Sequence, residues 1–213
     1  MSDDLEGIAA TRVHPIWSSD RAIWEREPDQ ARLNRAAALL VTSPAQALTE
    51  LQELAENGSV LSMVYLGHAF RNGTGTPIDL GKSEQWYRRA ADAGSALAAG
   101  ILGAYYFDIK QYARAEEFFK MSADRGYLPG MFRLATLYLD EAVIDPQPQK
   151  ARELLERASA LGHAVAKRRL AGLLARGGFG LVQRIRGYWL MLSSFKDYLW
   201  ITAVDPESDR LRG

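Results

Sequence analysis

The stretch Gly75 to Ser83 comes nearest in this chain to a phosphate-binding loop, in which backbone N–H groups and the lysine of a Gly-Lys-Ser triplet cradle phosphates. The spacing fails: five residues separate Gly75 from Gly81 where four are needed. Pro77 also removes a donor N–H, and the segment follows a helical pattern instead of a strand, so nucleotide binding is not expected. The histidines, His14, His68 and His163, lie far apart, and none has a partner at metal-ligand spacing. Cysteine is absent, which excludes disulfides, thiolate ligation of zinc and thiol nucleophiles. The carboxylates Glu116-Glu117 and Glu153 with Glu156 fall on helix faces expected to meet solvent, with nothing to pair them for acid and base work. The expectation is a chain with no catalytic residues, no cofactor and no metal.

The remaining chemistry is charge. Net charge is zero, yet residues 1–60 hold five basic and ten acidic residues while residues 150–186 hold nine basic and two acidic. The basic end, with Lys167-Arg168-Arg169 at its centre, suits an acidic protein surface or a headgroup layer, against the plainer reading of a solvated face. Nucleic acid is not expected, because the pI is near neutral and no stacking aromatics recur with the basic residues.

The elements that would carry these residues follow from a repeat. Gly58, Gly94, Gly126 and Gly162 stand 36, 32 and 36 residues apart, each after one helix-forming run and before another. Eight and nine residues past them come Leu66-Gly67, Leu102-Gly103, Leu134-Ala135 and Leu170-Ala171, a large residue beside a small one as close helix packing requires. One turn on, Phe70, Tyr106, Tyr138 and Leu174 continue the apolar stripe. Upstream, Trp86-Tyr87, Phe118-Phe119 and Leu154-Leu155 mark a second helix that ends at the next glycine, where a left-handed residue is expected. Asn57-Gly58-Ser59 and Asn72-Gly73-Thr74 match the glycosylation sequon but read better as helix stops. A hairpin of this kind cannot bury its apolar face alone, so neighbouring hairpins must stack.

The fullest unit carries Leu66-Gly67, Gly73-Thr74-Gly75, Asp79, Ser83, Trp86-Tyr87, Ala90-Ala91 and Gly94, and it resembles the Sel-one-like repeat, a relative of the tetratricopeptide repeat. The resemblance covers roughly residues 46–180. The unit ending at Gly126 is four residues shorter and lacks the glycine loop, and the following loop carries Pro146 and Pro148 instead. The resemblance implies an all-α, right-handed α-solenoid of antiparallel helix pairs. It also implies a non-enzymatic scaffold or adaptor, of a kind frequent in bacterial envelope, secretion or signalling assemblies.

Four regions are expected: an arm over 1–27 that is flexible or loosely packed, the repeats over 28–180 with a degenerate first hairpin, a long apolar helix over 181–204, and a polar tail over 205–213. Trp17 and Trp24 read as anchors on the neighbouring hairpin. In the long helix, Leu181, Ile185, Tyr188, Trp189, Leu192, Phe195 and Leu199 recur at three- and four-residue steps, and Trp200 widens the arc. Charges interrupt it and argue against a membrane span. It stands where the second helix of a last repeat belongs, so it is either an overgrown cap or a docking helix for a membrane surface or partner, with Ile185, Trp189, Leu192, Phe195, Leu199 and Trp200 as its contacts.

First helices of such hairpins line the concave side of a solenoid. On that side Tyr65, His68, Asn72 and Tyr105 precede Arg133, Arg169 and Arg176, a groove passing from aromatic to basic that suits a peptide with acidic residues at one end. The acidic start without a signal-like apolar run points to a cytoplasmic protein, either free or at the inner face of the cytoplasmic membrane.

Overall fold

The computed structural model describes residues 21–204 apart from 142 and 144, and of residue 194 and residues 196–204 it describes the backbone alone. Among the described residues every regular element is helical: α1 Arg21–Trp24, α2 Gln30–Thr42, α3 Pro44–Glu56, α4 Val60–Asn72, α5 Leu80–Asp92, α6 Ala96–Asp108, α7 Tyr112–Asp124, α8 Leu128–Leu137, α9 Pro148–Ala160, α10 Ala164–Ala175 and α11 Leu181–Val204. Two compact units divide at Leu102 and Gly103, inside α6.

The helices begin and end for local reasons. Asp29, Ser59 and Asp79 cap α2, α4 and α5 by accepting from the N–H groups of Arg32, Ser62 and Lys82, which satisfies donors that a helix start leaves without an intrahelical partner. Pro44 and Pro148 open α3 and α9, where a missing N–H costs nothing. Gly94 closes the α5 end with φ of 112°, and a Cβ added there would meet nothing within 4 Å. Its backbone conformation alone is what calls for glycine.

In the first unit α2 packs on α3, α3 on α4, and α4 on α5. Gly67 of α4 lies under the Tyr87 ring, and a Cβ there would stand 2.7 Å from Tyr87 Cε1. Ser83 Oγ donates to the Gly67 carbonyl at 2.8 Å beside this contact. In the second unit α7 packs on α8, α8 on α9, α9 on α10, and α10 on α11. Gly103 repeats the arrangement with Phe119, at 2.4 Å from a built Cβ to Cδ1, and Tyr106 stacks on Phe118 with centroids 5.4 Å apart.

The arm expected over 1–27 differs from the structure at its end, and its first part, with His14 and Trp17, lies outside the described residues. Arg21–Trp24 forms a helical turn, and Glu27 is buried with Oε1 accepting from Leu61 N at 2.8 Å at the start of α4. The reason is the exposed donors of the α4 N-terminus, which a carboxylate from the preceding chain can satisfy. Burial pushes the Glu27 carboxyl above its ordinary value, against hydrogen bonds from Ser59, Leu61 and Val60 that lower it. The polar tail over 205–213 lies outside the described residues.

Candidate functional site

The residues with catalytic-looking patterns are used by the fold. Lys82 N donates to Asp79 Oδ1 at 2.9 Å, and its ammonium lies 5.3 Å from the centroid of the Phe70 ring, so the loop resembling a phosphate cradle is the capped start of α5. His163 is buried at the N-cap of α10, where Nδ1 accepts from Ala166 N at 3.0 Å and the ring stacks on Phe132. Glu116 accepts from Tyr138 Oη at 3.0 Å and pairs with Lys120. The Lys120 bond is the main cause that holds its carboxyl below the usual value. No group of three or more metal-ligating side chains occurs among the described residues.

The first-helix residues expected to bind a partner fall into two sets. In the first unit Tyr65 and His68 are half-buried on α4, and burial together with the Arg71 charge lowers the His68 pKa. The His68 ring packs edge-on against Tyr87 at 5.5 Å. Burial also raises the Tyr65 hydroxyl. Both side chains are thereby partly engaged in packing, while Asn72 is exposed at the end of α4. In the second unit Tyr105 packs edge-on against Tyr106, and Arg133, Arg169 and Arg176 are exposed.

Arg169 and Arg176 belong to a cavity of 590 Å³ between α8, α10 and the loop that joins α8 to α9. The Gln147 N–H donates to the Tyr138 carbonyl at 2.8 Å and ties that loop to the end of α8. Phe132, Leu139, Val165 and Leu173 supply apolar wall, and Arg168, Arg169 and Arg176 stand with Glu141 as its charged residues. Val165, Arg168, Arg169, Gly172, Leu173 and Arg176 follow one another at helical spacing, so one face of α10 makes a whole side of the cavity. Sequence reasoning found the two arginines but missed the apolar wall and Gly172.

The long helix α11 continues the repeat register. Tyr87, Phe119 and Leu155, spaced by 32 and 36 residues, are followed 32 residues on by Gly187, and Gly94, Gly126 and Gly162, spaced alike, by Ser194. Gly187 lets α11 press on α10, since a Cβ there would stand 2.6 Å from Ala175 N and 2.9 Å from the Ala171 carbonyl oxygen. With no stop glycine, the helix runs on to 24 residues. Its inner line is Gln183, Gly187 and Leu190. The aromatic stripe faces away: Ile185 is 60%, Trp189 69%, Leu192 79% and Phe195 67% exposed. The side chains of Leu199 and Trp200 lie outside the described residues. Among the described residues no helix is long and apolar enough to cross a membrane.

A protein of paired helices with a large-beside-small contact inside each hairpin and surface-lying functional groups is an α-hairpin repeat protein of the solenoid class. The Sel1 repeat model matches residues 60–95, 98–127 and 128–163, so the chain carries three Sel1 repeats. A putative sel1-like repeat-containing protein of Acanthamoeba polyphaga mimivirus is 36% identical over 89 residues, which are 42% of this chain and 17% of that protein. The chain thus matches about a sixth of that relative's length. Among solved structures, a Sel1 repeat protein from Oxalobacter formigenes superposes with a TM-score of 0.63 at 21% identity, covering 77% of this chain and 72% of that one. A protective antigen of uropathogenic Escherichia coli displaying an SLR fold gives 0.67 at 18% identity, covering 97% of this chain and 50% of that one. At these identities the likeness establishes the fold. Sel1 repeats serve in general as protein–protein interaction scaffolds, and proteins built on them are typically non-enzymatic.

Proposed function

We propose that this protein is a non-enzymatic scaffold or adaptor that binds a partner protein or peptide, acidic in part, through the faces of its first helices. The observation that carries this reading is a pair of exposed arginines that the fold does not use. On the second helices Arg88 pairs with Glu84, Lys120 with Glu116 and Arg186 with Glu156. Arg169 and Arg176, on the first-helix side of the last repeat, are exposed and form no ion pair among the described residues. Charges that the fold does not use are available to a partner. Binding of acidic peptides to the intact chain, weakened by salt and by Arg169→Glu with Arg176→Glu, is the test. Unchanged affinity in that double variant would contradict the reading.

A second reading is favoured by the outward aromatic stripe of α11. Contiguous exposed apolar surface of this kind marks an interaction surface, and a basic-flanked aromatic helix suits a membrane interface. On this reading the protein is a peripheral adaptor at the inner face of the cytoplasmic membrane, within a bacterial envelope, exopolysaccharide or secretion assembly. Flotation with anionic vesicles but not neutral ones supports it, and truncation after Gly180 should then abolish flotation. Failure to float with either lipid removes it.

A further inference from the structure

Gly172 lies in the interior of α10, where a glycine weakens a helix by roughly 1 kcal/mol relative to alanine. Three other helix-interior glycines of the first helices are explained by packing. Gly67 lies under Tyr87, Gly103 under Phe119, and Gly130 against Ser122, each with a neighbour under 3 Å from a built Cβ. At Gly172 a Cβ would meet nothing within 4 Å, and the backbone there does not have positive φ. Neither a turn nor a close approach calls for it. Ten residues past each repeat glycine stand His68, Ala104, Thr136 and Gly172, so the last repeat has lost the side chain that earlier repeats carry at this place.

What the missing side chain leaves is space. Gly172 lines the 590 Å³ cavity, between the apolar wall of Phe132, Leu139, Val165 and Leu173 and the guanidinium groups of Arg169 and Arg176. The volume lies within the range of ordinary ligand pockets, about 300–1,000 Å³. The two chemistries are adjacent, because Arg169, Gly172, Leu173 and Arg176 sit at three- and four-residue steps on one helix face. An occupant must therefore present an apolar group and a carboxylate a short distance apart. Arg168, Arg169 and Arg176 outnumber Glu141 in the lining, and the net positive charge they leave would turn away a basic occupant.

We infer that this cavity is a peptide-binding site, in which an apolar side chain of the ligand enters over Gly172 and a neighbouring aspartate or glutamate is held by Arg169 and Arg176. The inference rests on the scaffold reading and narrows it to one site and one class of ligand. Arginine is suited to the second task, since its guanidinium offers a fork of donors to both oxygens of a carboxylate. Gly172 sets the size of side chain admitted, because any larger residue there would project into the space the ligand needs.

The test uses the full chain as bait for a random displayed peptide library. The expected outcome is enrichment of Asp or Glu next to a Leu, Ile or Phe. The enriched peptide, made synthetically with a fluorescent label, is then titrated by anisotropy against wild type, Gly172→Leu and the double variant Arg169→Glu/Arg176→Glu. Gly172→Leu fills the cavity from a position where its Cβ has room, so its melting temperature should be unchanged or raised while affinity falls roughly tenfold or more. The arginine variant should lose affinity comparably and lose the salt dependence of binding. Enriched peptides without acidic residues, or full affinity in a folded Gly172→Leu, overturn the site. Should binding survive Gly172→Leu but fail on Asn72→Ala, the site is wrong and the scaffold reading stands. A library that yields no peptide at all counts against both.

Discussion

Replacing Gly103 with alanine tests whether the close contact inside each hairpin is what sets the residue types at these positions. A Cβ on Gly103 would lie 2.4, 2.7 and 2.9 Å from Cδ1, Cε1 and Cγ of Phe119, a buried ring that cannot swing away as a flexible chain end could. Overpacking of this kind costs about 1–3 kcal/mol. Alanine returns roughly 1 kcal/mol as the better helix former, which leaves a net loss of about 0–2 kcal/mol. The corresponding pairs in the other hairpins are Gly67 with Tyr87, Ala135 with Leu155 and Ala171 with Gly187, so alanine occurs on the first helix where the residue opposite is smaller than an aromatic. Phe119→Leu alone should cost about 1–2 kcal/mol for lost burial. The combination Gly103→Ala with Phe119→Leu reproduces the Ala135 and Leu155 pairing, and its destabilisation should fall short of the sum of the two by about 1–2 kcal/mol, the strain having been removed. Urea unfolding of the wild type and three variants reads this coupling, provided that two optical probes report one transition. Additivity to within about 0.5 kcal/mol would refute the steric account.

Glu27→Gln keeps the acceptor for Leu61 N and removes a charge whose burial is unfavourable. Because the folded carboxyl is raised, its contribution is complete below the ordinary carboxylate pKa and is lost as pH rises through the folded value. The variant should therefore gain on wild type between acid and neutral pH, and a gap that shrinks towards neutrality in urea melts would contradict this. Gly94→Val should lower stability by about 1 kcal/mol or more through backbone strain alone, since φ is 112° and no atom lies within 4 Å of a built Cβ. An unchanged melting temperature would disprove it. Calorimetry with ATP and GTP should show no tight binding, because Asp79 caps the α5 start and Ser83 Oγ is committed to the Gly67 carbonyl. Micromolar affinity abolished by Lys82→Ala would be incompatible with that assignment. Truncation after Gly180 should lower the melting temperature if contact with α10 through Gly187 is the main role of α11, and an unchanged value would assign the helix to a partner or surface instead.

The hairpins were legible in the sequence because their determinants are local and repeat. A stop glycine, a large-small pair eight and nine residues on and an aromatic or leucine one turn further each report a requirement of one helix or one helix contact, and four copies make the pattern visible. The same periodicity placed Arg169 and Arg176 on the first-helix side of the last repeat. Tertiary structure decided what periodicity cannot express. Whether Tyr65 and His68 point to solvent or into packing depends on how large their neighbours are, and the Tyr87 ring packs edge-on against His68. Glu27 is buried because a helix start from a distant part of the chain needs an acceptor, which nothing near Glu27 in sequence reveals. In α11 the apolar stripe alone did not say which face would turn inward. The absence of a side chain at Gly187 decided it, since helices approach closest where the least atoms intervene, and the stripe was left facing outward. Gly172 is the converse case: the letter is plain in the sequence, but only the surrounding helices and loop show that its missing side chain opens a cavity.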